Sequence, residues 1–174
     1  TIENKAIYIY NQLIPLRYGI ETYAIMNFEE SIVGADPQNE FRLECMLIAF
    51  LKKSTEESFS EKHNSLIFNQ LIKIYCEEKK YDYDAMEASV KNYGDNIFKL
   101  MDEREQGQSF DNLNKYFEKT FNLDIPLSKY ILIVHGILGA VKNFFKDTNK
   151  NEREFFRNPI DIEIGEENDI EQKM

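Results

Sequence analysis

The hydrophobic pattern of this chain peaks between Tyr130 and Val141, where His135 is the one polar side chain and Gly136 and Gly139 interrupt an otherwise apolar run. A membrane span needs about 20 apolar residues. This run is shorter and is closed by Lys129 and Lys142, so it reads as a core helix over residues 126–145, around which the fold is built. On a wheel of about 100° per residue, Leu127, Tyr130, Ile131, Ile133, Val134, Ile137, Leu138, Val141, Phe144 and Phe145 fall on one broad face. The other side carries His135, Gly136, Gly139, Ala140 and Lys142, with Leu132 as an apolar stray. Small residues there let a second backbone come close, or leave room for a ligand.

Most other segments also repeat at helical spacing. A helix runs from Ile2 to about Ile14, where Pro15 should end or kink it. A second continues through Ile20, Tyr23, Ala24 and Phe28, with Gly34 as its C-cap. Asp36-Pro37 opens a third, rich in Phe41, Cys45, Ile48, Ala49 and Leu51, which runs to about Lys53. The polar stretch 54–63 is a loop, or an extra turn opened by the pair Ser54 and Glu57. A fourth helix covers about residues 64–79. Asp84 caps a fifth that ends at Gly107, and Ser109 opens a shorter sixth before Asp124 and Pro126 start the apolar helix. Strict alternation, the period of a strand, occurs at one place, Ile160-Asp161-Ile162-Glu163-Ile164. The expectation is an all-α, single-domain bundle of about seven helices over residues 1–157. An acidic tail, extended or disordered, follows over 158–174.

Charge narrows the partners. The chain carries a net −10, which argues against phosphate-driven nucleic-acid binding and against an anionic membrane surface. The tail contributes half of it, with Asp161, Glu163, Glu166, Glu167, Asp169 and Glu171 against Lys173 alone. Cys45 and Cys76 lie on different helices among apolar residues and read as reduced thiols of a cytoplasmic protein. No secretory signal pattern opens the sequence.

The catalytic inventory is thin. The chain has two histidines, His63 and His135, and neither follows a glutamate at the Glu-x-x-His spacing of di-iron bundles. Zinc-type Cys/His clustering, phosphate-binding glycine loops and the nucleophile-elbow motif are all missing. Glu40 and Glu44 share one helical face beside Arg42. That spacing suits a carboxylate pair, but a solvated face explains it more simply. His63 belongs to a polar run and reads as exposed. His135 reads as a core-boundary histidine at the edge of the small-residue face, and it is a candidate ligand contact with Gly136 and Gly139. No cofactor or metal is expected.

Two functional readings remain. The first is a non-catalytic helical module for protein interaction or regulation, such as an adaptor or an acidic, antitoxin-like inhibitor. Its partner is another protein or a second copy, met through Ile160, Ile162 and Ile164 adding as a strand. The second is the small-molecule-binding sensor domain of a regulator, with its pocket beside His135.

Overall fold

The computed structural model describes residues 1–56, 60–105 and 110–147, and within them the protein is an all-α bundle. Its helices are α1 (Ile2–Phe28), α2 (Ile32–Ala35), α3 (Asn39–Thr55), α4 (Glu61–Lys79), α5 (Tyr83–Glu105), α6 (Asp111–Phe121) and α7 (Ile131–Asp147). A 3₁₀ turn, Leu127–Lys129, leads into α7. The expected helix boundaries at Gly107 and Ser109, and the tail with Ile160, Ile162 and Ile164, lie outside the described residues.

The sequence places the 126–145 helix at the centre of the bundle. In the fold that position belongs to α3, whose residues from Leu43 to Leu51 are all buried. This helix touches α1, α2, α4, α5 and α7. Such a segment is covered on every side and therefore shows no amphipathic stripe. The apolar helix α7 is instead a wall: Tyr130, Ile133, Val134, Ile137, Val141 and Phe144 are buried, while His135, Leu138 and Lys142 face outward.

Pro15 does not end the first helix, and the two segments expected there form one, α1. A proline costs its helix the hydrogen bond to the carbonyl four residues back, here that of Asn11. Asn11 and Pro15 are both exposed, so the loss falls where water compensates. The true end of α1 is Glu29, in the left-handed conformation at φ 54. Gly34 instead belongs to α2, where its N–H donates to the Ser31 side chain. Asp82, not Asp84, caps α5, its carboxylate accepting from Ala85 N–H at 2.9 Å.

Two buried polar residues fasten the connections. Asn39 opens α3 and donates to the carbonyls of Ile32 and Phe121, joining α2 and α6 to the central helix. Tyr130 is fully buried at the entry to α7. Its hydroxyl accepts from Leu123 N–H at 2.7 Å and donates to Leu123 C=O at 2.8 Å, locking the α6–α7 connection. Tyr130→Phe keeps the ring but strands a buried N–H, a loss of about 1–3 kcal/mol. Thermal unfolding should therefore show Tm lower by about 5 °C, with the helical circular dichroism unchanged.

Candidate interaction surface

α1 lies between α4 and α7. Contacts of Tyr8 with Phe144 and of Tyr23 with Gly136 run it antiparallel to α7. The small-residue side of α7 meets α1 over only part of its length. A side-chain carbon added at Gly136 would stand 3.2 Å from the Tyr23 ring and 3.8 Å from Ile20, so the glycine permits close packing. At Gly139, and at Gly19 across from it, nothing lies within 4 Å. The helices part there and leave a groove of about 250 Å³. Pro15, Leu16, Gly19, Ile20 and Tyr23 form one wall, and His135, Gly136, Gly139 and Ala140 form the other. His135 stands exposed on the rim rather than at the core boundary the sequence suggests.

Beside this groove the outer face of α1 is apolar and uncovered. Tyr18 is 59% exposed, Met26 78%, Ile25 47% and Ile7 42%, and Leu138 of α7 is 38% exposed. A solitary exposed hydrophobe means little, but a run of them along one helix marks a surface that meets something. Periodicity alone did not reveal it, because α1 is apolar on nearly all sides. That uniformity was itself the signal, since a helix hydrophobic all round is normally enclosed.

Glu40 and Glu44 are not on a solvated face. They point between helices into a cluster of charges. Lys79 of α4 donates to Glu40 at 2.5 Å and lies 3.1 Å from Glu44. Tyr81 Oη donates to Glu44 at 2.6 Å, and Arg17 of α1 stands 3.7 Å from Glu40. The Phe41 and Tyr81 rings meet edge to face above the pair, and Tyr10 and Tyr75 do the same nearby. Burial holds the Glu44 carboxyl above the ordinary carboxylate range, against the pull of Tyr81 and Lys79. The Lys79 hydrogen bond holds Glu40 below it. Neither carboxylate lines the groove or the basin described next. Each is committed to partners within the protein, which makes the cluster a clamp joining α1, α3 and α4.

His63, expected on the surface, is buried in the first turn of α4. Ser60 caps that helix, accepting from His63 N–H. The cap starts the helix earlier than the sequence suggests, which brings His63 inside. A broader basin of about 900 Å³ opens between α3, α4 and α5 over Ala49, Phe68, Val90 and Phe98. Its walls carry charges of both signs, and pairs such as Lys91–Asp95 at 2.8 Å neutralise one another. Among the described residues no group of His, Cys, Asp and Glu is placed to hold a metal ion, and no helix is long and apolar enough to cross a membrane. No known protein family, curated protein or solved structure matches the chain.

The glycines separate packing from empty space. Gly139→Ala gains helix propensity with no contact to disturb and should raise stability by about 0.5–1 kcal/mol. Gly136→Ala should gain less or lose, because the Tyr23 ring must shift. Chemical denaturation of the two variants checks the order.

The clamp fixes a pH signature. Glu40, with its folded value lowered, contributes stability that is present above the ordinary 4.5 and is lost as pH falls below it. Glu44, with its folded value raised, contributes stability below 4.5 that is lost as pH rises from there through that higher value. The Tm of the wild type should therefore fall relative to that of Glu44→Gln as pH rises from about 4.5 to neutrality. Parallel melting curves across that range would contradict the assignment.

Proposed function

We propose that this protein works by binding another protein, as a non-catalytic helical interaction or regulatory module of the adaptor or acidic-inhibitor kind. The observation that carries the reading is the outer face of α1, where Ile7, Tyr18, Ile25 and Met26 stand exposed beside the groove at Gly19 and Gly139. Exposed tyrosine and methionine on a rigid helix suit a docking surface, since aromatic and Met side chains are enriched at interface cores. The partner's complementary surface is apolar, and with this chain at net −10 it is neutral or basic at its edges. Ile160, Ile162 and Ile164 of the acidic tail are a second candidate docking element. Free thiols at Cys45 and Cys76 fit a cytoplasmic setting.

The sensor reading draws support from the groove at His135. Its roughly 250 Å³ falls below the range of about 300–1,000 Å³ usual for ligand pockets, and it is open along one side. Room for one or two inserted side chains fits a protein partner better.

Affinity capture from the native host separates the elements. Tyr18→Glu/Ile25→Glu should abolish retention of a partner held by wild type, with an unchanged melting temperature. A chain truncated after residue 157 should show a partial loss. Retention unaffected by either change would sink the reading.

A further inference from the structure

The exposed face of α1 has an order that points to one occupant. Ile7, Asn11, Ile14, Tyr18, Glu21 and Ile25 follow one another at alternating spacings of four and three residues; Ile14 and Glu21 are half-buried and the other four are exposed. That is the seam of a coiled coil, and it is presented here on a helix whose opposite side is already packed. The positions also mirror one another about a point midway between Ile14 and Tyr18. Set antiparallel against a copy of itself, the seam places Ile7 opposite Ile25, Ile14 opposite Tyr18, and Asn11 opposite Glu21. Apolar positions meet apolar ones, and Asn11 faces the position of Glu21, whose carboxylate is turned inward. A two-fold interface must be self-complementary in this way. We infer that the outer face of α1 pairs with α1 of a second copy of this chain in an antiparallel, two-fold dimer.

Charge supports the same occupant. Two molecules of net −10 repel, and they can meet only where that charge is absent. α1 is such a place. Glu3 and Glu21 are balanced by Lys5 and Arg17, the two cations are buried, and Glu21 is the one charge on the seam. Its carboxylate is turned inward: one oxygen accepts from Val33 N–H at 3.1 Å, and the other is buried without a hydrogen-bond partner. Asn11 is exposed, and a lone polar residue at such a position fixes register at some cost in affinity. From Ile7 to Ile25 the seam spans about 27 Å. That is small for a stable interface, so the pairing is a concentration-dependent equilibrium in the micromolar range.

This inference rests on the reading of α1 as a docking surface and names what docks. Sedimentation velocity of the 174-residue chain over a wide concentration range should show a monomer–dimer equilibrium. Tyr18→Glu and, separately, Ile25→Glu should weaken it by about 100-fold without altering the circular dichroism of the dilute monomer. The geometry has its own test. In a Cys76→Ser background, Ile7→Cys and Ile25→Cys proteins should form a disulfide-linked dimer when mixed and oxidised, and neither should do so alone. Cross-linking of Ile7→Cys with itself would mean a parallel pair and would overturn the proposal. So would a wild type that stays monomeric at every concentration, or a dimer indifferent to both charged substitutions. A monomer that still loses a captured host protein through Tyr18→Glu would overturn the dimer and leave the interaction-module reading standing. A monomer with no dependence on this face would end both.

Discussion

The carboxylate of Glu44 lies within the run from Leu43 to Leu51 that is buried throughout, and it has to be compensated where it stands. An ion moved from water into such surroundings costs several kcal/mol unless it is paired and hydrogen-bonded. The partners come from elsewhere in the chain: Lys79 from the last turn of α4, and Tyr81 from the residues just beyond it. One turn back on α3, Glu40 shares Lys79 and reaches Arg17 on α1. Sliding α4 by one turn along α3 would strand Glu44 in apolar packing, and sliding α1 would part Arg17 from Glu40. The cluster adds little net stability, because most of its attraction is consumed by desolvation. It sets instead the register in which three helices pack.

That register has a consequence at the surface. Arg17 is held by Glu40 and Lys5 is also buried, so the two cations of α1 do little to solvate its outer side, where Glu21 is half-buried and Glu3 is exposed near the N-terminal end. What faces water there is Ile7, Tyr18, Ile25 and Met26. In a chain of net −10 this apolar face offers another molecule little electrostatic resistance. The inner clamp and the outer apolar face are two results of one orientation of α1.

What could be read from the sequence follows the range of the interaction concerned. The wheel of the apolar helix was right for Tyr130, Ile133, Val134, Ile137, Val141 and Phe144, because those side chains obey local periodicity, and it misplaced Leu138. The all-α class was legible for the same reason. The roles of Glu40 and Glu44 were not, since Lys79 lies 39 residues from Glu40 and Tyr81 lies 37 from Glu44. No local pattern tells a carboxylate facing water from one facing a distant lysine. The central place of α3 was obscured in another way, since a helix buried all round has no stripe to display. Pro15 misled because propensity assigns it the full cost of a helix breaker, whereas the carbonyl it frees is on the solvent side.

Pro15 and Gly19 stand four residues apart in the middle of α1, and both are poor helix formers, Gly19 by about 1 kcal/mol relative to alanine and Pro15 by whatever part of its cost water at the Asn11 carbonyl does not offset. Local propensity therefore leaves α1 weakest at this point, and packing against α4 and α7 holds it. Packing on the α7 side is itself incomplete there, because the groove opens at Gly19 and Gly139. The least supported turn of α1 thus coincides with one wall of the groove, at Pro15, Leu16 and Gly19. A molecule seated in the groove would supply the contacts that α7 leaves out. Its binding free energy adds directly to the stability of the folded state.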